Sequence, residues 1–319
     1  MLRIFDNFRP SKVNVNCILM NGGVGDHVGS LVAINYILNS YPWVNLLIWV
    51  PDFLLEFAKN VLPDHAIVRD YTAMKTKYNR EITTITTEWD GRTSPMKMHS
   101  VDYAFLKLCD EAVGLEHQNY LKVKFNKVDI SNIALPEKYV VIATGFTAPV
   151  REFHPPTVNA ISEYLVAKGI TPVFLGQTLT PTGAKHIIQG TFNKDIDYST
   201  GLNLINQTTL LQAAKIMQGA KAMVGVDCGL MHIAGCTDVP IVGGFTTVRP
   251  ELRAPIRNNT LGLNFYSVVP DTGLECKFCQ SNTNFLYGHD YKFCIYKDYK
   301  CVPQLSAEKF INHLTTILE

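Results

Sequence analysis

Four stretches of this sequence carry residues whose types and spacing could do chemistry. The first is Asn21-Gly22-Gly23-Val24-Gly25-Asp26-His27-Val28-Gly29, which follows an apolar run. Glycines there, Gly23 and Gly25 above all, let backbone amides approach a ligand, and a following helix offers its positive N-terminus. The pattern is no dinucleotide fingerprint, because Val28 fills the third glycine place, and no Gly-Lys-Ser/Thr follows. Asp26 stands at the helix start, where the dipole keeps a carboxylate ionised and able to accept a proton from a hydroxyl. A plain helix-capping role is the competing reading. The second stretch is Val226-Asp227-Cys228-Gly229-Leu230-Met231-His232-Ile233-Ala234. A strand ends at Asp227, and the free amides of the next helical turn suit a phosphate. His232 lies one turn in, on the side that reaches the same anion; a satisfied, partly buried histidine is the alternative. The third runs from Thr144-Gly145 to Pro155 and contains one fixed cation, Arg151. A guanidinium pairs well with diphosphate oxygens, although a lone arginine usually ends on the surface.

The fourth stretch is a cysteine cluster, Cys276, Cys279, Cys294 and Cys301, with spacing C-x2-C-x14-C-x6-C. Four thiolates so spaced can hold a structural zinc ion. Two disulfides or four free thiols are the other readings. His289 is a spare ligand. Lys277, Lys292, Lys297 and Lys300 interleave with Phe278, Tyr287, Tyr291, Phe293, Tyr296 and Tyr299. Such a segment can meet a nucleic-acid or sugar acceptor, or fill a small satellite core.

The elements that must position these groups alternate. Strands are expected over 13–20, 45–50, 139–143, 171–175, 222–226 and 241–245. Helices are expected over 26–39, 53–59, 101–113, 157–168, 207–218, 230–236 and 306–318. A strand is plausible around 82–87, and the rest of 60–130 is hard to read. Ser306 is a candidate cap for the closing helix, with Lys309 where a capping box would want Glu. Strand, glycine turn, helix, strand is a βαβ unit, and two such series imply two doubly wound α/β domains. The break near Leu135-Pro136 divides them into 1–135, on the acceptor side, and 136–319, on the nucleotide side, the latter holding the Cys-rich segment 276–301. The closing helix has room to pack back on the first domain. Ligands of such folds bind at the carboxyl ends of the strands, here in the cleft between domains.

Composition narrows the classes. The chain has 319 residues, 47% hydrophobic and 18% charged, enough apolar matter for full cores. That excludes disordered and low-complexity chains. A net charge of +1 excludes a whole-chain polyanion binder. No run reaches the ~20 apolar residues of a bilayer span, and the start lacks a signal-peptide core. The expectation is a cytoplasmic protein.

Taken together, the motifs resemble the heptosyltransferases, glycosyltransferase family nine. Gly-Gly-Val-Gly-Asp at 22–26 is similar to that family's Gly-Asp motif. Asp227-Cys228-Gly229-Leu230-Met231-His232-Ile233-Ala234 is similar to its Asp-Thr/Ser-Gly-x-x-His-Leu-Ala signature. Val239-Pro240 through Arg249-Pro250 is similar to its Val-Pro-strand-Phe/Tyr-Gly-Pro-Thr-x-Pro stretch, and Arg151-Glu152-Phe153-His154-Pro155 to its Lys-x-Trp-Pro loop. The resemblance implies a GT-B fold and inverting transfer from a nucleotide-diphosphate-sugar without a metal at the chemistry. It implies Asp26 as the base and Arg151 in place of a lysine on the donor phosphates. It implies that Asp227, Cys228, Gly229, Leu230, Met231 and His232 hold the diphosphate, with Thr144 and Gly145 beside them. A glycan or lipid-linked saccharide, as in lipopolysaccharide biosynthesis, is the implied acceptor; a nucleic-acid acceptor is less favoured. The sequence departs from the family at Cys228, Thr246 and Phe153, so the donor is not fixed as ADP-heptose. The alternatives are an epimerase or hydrolase acting on nucleotide-sugars, and a non-catalytic nucleotide-sugar-binding protein.

Overall fold

The computed structural model describes residues 13–19, 23–70, 83–86, 99–109, 121–145, 149–177, 195–258, 260–281, 294 and 296–319. Asn21, Gly22, the 146–148 part of the Arg151 loop, and His289 with its neighbouring aromatics lie outside them.

Two parallel sheets organise the chain. The first is built from β1 (Val13–Ile18), β2 (Val44–Val50), β3 (Ile67–Asp70) and β4 (Thr83–Thr86), in the order β3-β2-β1-β4. Helices α1 (Val24–Ser40), α2 (Asp52–Val61) and α3 (Ser100–Cys109) accompany it. The second holds β5 (Tyr139–Ala143), β6 (Thr171–Leu175), β7 (Leu202–Asn203), β8 (Met223–Val226), β9 (Ile241–Gly244) and β12 (Phe265–Val268), in the order β12-β9-β8-β5-β6-β7. Its helices are α4 (Pro155–Ala167), α5 (Leu210–Gly219), α6 (Gly229–Gly235) and α7 (Ala307–Leu318). A two-stranded antiparallel ribbon, β10 (Ile256–Arg257) with β11 (Thr260–Leu261), precedes β12. Among the described residues no helix is long and apolar enough to cross a membrane.

The strand orders locate the chemistry. In the second sheet β5 lies between β6 and β8, and the chain reverses its direction of winding there. Such a switch point opens a crevice at the strand carboxyl ends, the usual ligand site of doubly wound sheets. Thr144-Gly145 leaves β5 at that edge, and Asp227 leaves β8.

Central strands are buried on both faces, so they read as unbroken apolar runs; every residue of β5 is buried. Helix α1 is buried almost continuously from His27 to Ile34 because it packs against both α3 and α6. Its start is two residues earlier than the expected Asp26. The expected helix over 207–218 begins instead at Leu210, capped by Thr209, whose hydroxyl accepts from Gln212 N–H at 3.2 Å while Gln212 answers the Thr209 amide at 3.0 Å.

The closing helix departs from expectation twice. It packs on the second sheet, not the first: Phe310 meets Phe153 with ring centroids 5.1 Å apart, and Tyr164 bonds Thr315 at 2.8 Å. The apolar face set by Phe310 and Leu314 finds its complement in α4 and Leu305. Ser306 occupies the cap position, yet its side chain makes no capping bond. Lys309 ties the helix start down instead, donating to Val269 C=O at 2.9 Å, Gln304 C=O at 3.1 Å and Asp271 at 2.7 Å.

Candidate active site

Two helix starts meet where the sheets face each other. A Cβ added at Gly229, the first residue of α6, would stand 2.7 Å from the Val24 Cβ of α1. One added at Gly25 would run into the His232 ring. Real side chains do not approach so closely, so these two glycines are what let α1 and α6 touch. The glycine at 25 is thus required by a histidine more than two hundred residues away, whatever its amide does for a ligand.

Asp26 sits in the first turn of α1. Its Oδ2 accepts from Gly23 N–H at 2.8 Å, and its carbonyl accepts from the Ser30 hydroxyl at 3.1 Å. The capping reading therefore accounts for one carboxylate oxygen and for the Gly23 amide. A carboxylate has a second oxygen, which can take a proton while the first anchors the side chain. Next to it, His27 is buried, tilted against Phe53 at 5.9 Å between centroids, with no hydrogen-bond partner for Nδ1 among the described residues. Burial holds its pKa down to about 4 against the opposing pull of Asp26.

Asp227 is the hub of the second-sheet side. Its Oδ2 lies 3.3 Å from Arg151 Nη1 and 3.9 Å from Arg253 Nε, and its Oδ1 lies 3.8 Å from His232 Nε2. Burial alone would raise its carboxyl, but His232, Arg151 and Arg253 hold it well below the usual carboxylate range. It is therefore an anion in the folded protein. An anion does not itself bind phosphate; it orients cations that do, or accepts from a sugar hydroxyl. Removing one partner of such a buried cluster costs about 3–5 kcal/mol.

Arg151 is set in place locally. It ends a 3₁₀ turn, Pro149–Arg151, and the Thr246 hydroxyl donates to the carbonyl of Val150 just before it. Threonine at 246, where the resembled family usually has glycine, thus braces the turn that carries the cation. Thr144 is buried, and its side chain bonds Tyr198. Gly145 lies against the backbone of Gly176 and Gln177. Cys228 holds the cap position of α6 without a capping bond, and burial, with Asp227 adding to it, pushes its thiol up to about 11. It is a neutral thiol at neutral pH. Leu230 is half-buried and Met231 buried, so these two contribute main-chain groups and packing. The far end of α6 is closed by Arg257, which donates to Ala234 C=O at 2.7 Å and Gly235 C=O at 3.3 Å, where a cation suits the helix dipole.

The four cysteines form a separate question. None of Cys276, Cys279, Cys294 and Cys301 is in a disulfide. Burial pushes the Cys279 thiol up to about 11 and Cys301 to about 12, and the neighbouring thiols of the set add to both. The sulfurs are thus near enough to act on one another. Among the described residues, however, no three His, Cys, Asp or Glu are set as metal ligands. The segment reaches the loop that braces Arg151 through its backbone: Phe278 N–H donates to Thr246 C=O at 3.1 Å, and Gln280 N–H to Thr247 C=O at 3.0 Å.

So Gly25, Arg151, Asp227 and His232 are brought together, with Asp26 beside Gly25. Sequence reasoning missed Arg253 and His99. His99 accepts from Val101 N–H through Nδ1 at 3.2 Å, so its Nε2 carries the proton and donates to Ala254 C=O at 2.8 Å. Nothing local in the sequence marks either residue.

A family model described as glycosyltransferase family 9 (heptosyltransferase) matches residues 90–278. No curated protein matches the chain. Among solved structures, the iron-containing dodecameric glycosyltransferase TibC from enterotoxigenic E. coli H10407 aligns over 97% of this chain and 77% of its own, at 14% identity and a TM-score of 0.73. A family 9 glycosyl transferase from Veillonella parvula DSM 2008 aligns over 98% of both chains, at 13% identity and a TM-score of 0.61. E. coli ADP-heptose lps heptosyltransferase II aligns over 95% of this chain and 98% of its own, at 12% identity and a TM-score of 0.61.

Proposed function

The chain belongs to glycosyltransferase family 9, and from that membership we propose that it moves a sugar from a nucleotide-diphosphate-sugar to an acceptor hydroxyl with inversion. Its two facing parallel sheets are the GT-B fold of that family. The observation that carries the reading is the meeting of the two helix starts. Asp26 stands beside Gly25, and Gly25 touches the His232 that pairs with Asp227.

In this reading the second oxygen of Asp26 takes the acceptor hydroxyl proton. The acceptor oxygen then bonds to the anomeric carbon from the face opposite the leaving group. The bond from that carbon to the diphosphate breaks, and the diphosphate departs with the electron pair. Arg151 and the amides at the start of α6 receive the growing charge; fixed cations and dipoles aimed at developing charge are the usual source of such stabilisation. Asp227 keeps Arg151 and His232 in position. Thr144 and Gly145 line the phosphate side of the switch point. With cations already present, transfer needs no divalent metal at the diphosphate. TibC is crystallised with ADP-D-beta-D-heptose and WaaC of E. coli with ADP, which supports an adenine nucleotide as the first donor to try. The acceptor is a glycan or lipid-linked saccharide. In the same reading the chain divides at 135–136, with the acceptor on the side of the first sheet and the donor on that of the second.

The test is a thermal-shift screen with ADP, GDP, UDP and CDP, then turnover of the matching nucleotide-sugars with glycan acceptors and EDTA present. Stabilisation by one nucleotide and acceptor-dependent release of it are expected, because ligand held only by the folded state raises its stability. Nucleotide-sugar consumed equally without acceptor would favour the hydrolase or epimerase.

For the four cysteines the reading is a structural metal site, zinc by ligand type, that supports the loop at 246–247. Four cysteines suit zinc, which binds them as thiolates and displaces the protons that burial and their neighbours otherwise hold on them. Elemental analysis of purified protein is expected to find about one metal ion per chain, lost when Cys276 and Cys279 become serine. Metal-free protein with four titratable thiols would sink it.

A further inference from the structure

Arg253 belongs to none of the motifs. It follows a 3₁₀ turn, Pro250–Leu252, and its N–H and that of Ala254 both close on Pro250 C=O, at 2.9 and 2.8 Å. The turn directs the side chain inward, to 6% exposure, where Nε faces the Asp227 oxygen that Arg151 also approaches. One residue on, Ala254 is fixed by the buried His99. Arg253 is therefore positioned from two sides, by its own turn and by the segment that opens α3.

The distances say what this arrangement is for. Charge-assisted hydrogen bonds run to about 2.7–2.9 Å. Arg151 and Arg253 stand at 3.3 and 3.9 Å from one carboxylate oxygen. Asp227 gathers the two guanidiniums around one point, and Arg253 also donates through Nη1 to Leu252 C=O at 3.1 Å, which leaves its Nε side turned to the shared carboxylate. A diphosphate offers oxygens on two adjacent phosphorus atoms, and two planar forks side by side match it better than one.

We propose that Arg253 is a second cation for the donor's diphosphate, moving from Asp227 onto one phosphoryl group while Arg151 takes the other. This deepens, and rests on, the donor-site reading above. Asp227 then retains His232, and the site carries two fixed charges for a leaving group that gains charge.

The test uses inorganic pyrophosphate, which needs no knowledge of base or sugar, with orthophosphate as the single-phosphate comparison at matched ionic strength. In titration calorimetry the wild type is expected to bind pyrophosphate more tightly. Arg253→Gln is expected to weaken pyrophosphate at least about tenfold and orthophosphate less than about threefold, since Arg151 remains. Pyrophosphate bound by that variant within about twofold of wild type, or not bound by the wild type, overturns the proposal. If Arg253→Gln does not fold, Arg253→Lys decides: narrowed discrimination supports the proposal, unchanged discrimination overturns it. Nucleotide-sugar turnover by the wild type is scored separately. A chain that loses pyrophosphate with Arg253 yet transfers no sugar keeps the anion site and loses the transferase reading.

Discussion

At the scale of single residues the assignment turns on Asp26. Its Gly23 bond would be made by a cap with no chemical role. Asp26→Asn separates the two readings, because the amide oxygen still accepts from Gly23 while the group can no longer take a proton. As a base, its loss is expected to lower kcat by about 10²–10⁴-fold with the donor KM nearly unchanged. Steady-state kinetics on the donor found by screening give the answer. A variant that turns over like wild type would reduce Asp26 to a helix cap. Cys228 offers a contrast: with its thiol pushed up to about 11, it is no nucleophile, and only its place at the helix start matters.

At the scale of elements, what could be read in the sequence was what local pattern determines. β5 and β6 fall on the expected residues, because strands buried on both faces are unbroken apolar runs between polar turns. Edge strands were legible only in part: β4 falls within the strand expected around 82–87, whereas β3, β7 and β12 were missed. β3 carries Arg69 and Asp70 and exposes Ile67, so its alternation is faint, and β7 is two residues long. The α1 start was displaced because Asp26 caps from inside the first turn rather than before it. The candidate site was legible where chain neighbours build it, as where His232 comes to lie against Asp227. It was not where remote partners do. His99 meets Ala254 across 155 positions, and Gly25 is a glycine on account of His232. No window of sequence holds both members of such a pair.

At the scale of the whole molecule, the buried histidines fix how the fold responds to acid. His27 and His99 are both held to about 4 from an ordinary 6.5, each chiefly by burial, with Arg253 and His232 adding to the effect at His99. Both are neutral in the fold. The unfolded chain protonates them near 6.5, so below that pH it binds more protons than the folded state, and stability falls as pH falls. The loss begins near pH 6.5 and is complete near pH 4, at about 1.4 kcal/mol per unit for each group, or about 3 kcal/mol each in full. Asp227 works lower down. Its depressed carboxyl adds stability above the ordinary carboxylate range, and that contribution goes only in stronger acid. Against a total of about 5–15 kcal/mol, the two histidines together take a large share of the stability before Asp227 titrates. Urea unfolding between pH 7 and 4.5 is expected to show this decline. His99→Gln keeps a donor and an acceptor for Ala254 and Val101 but cannot protonate, so its decline is expected to be about half as steep. A slope equal to wild type would mean that His99 takes up its proton without cost, and that its link between α3 and the Arg253 turn is looser than its hydrogen bonds indicate.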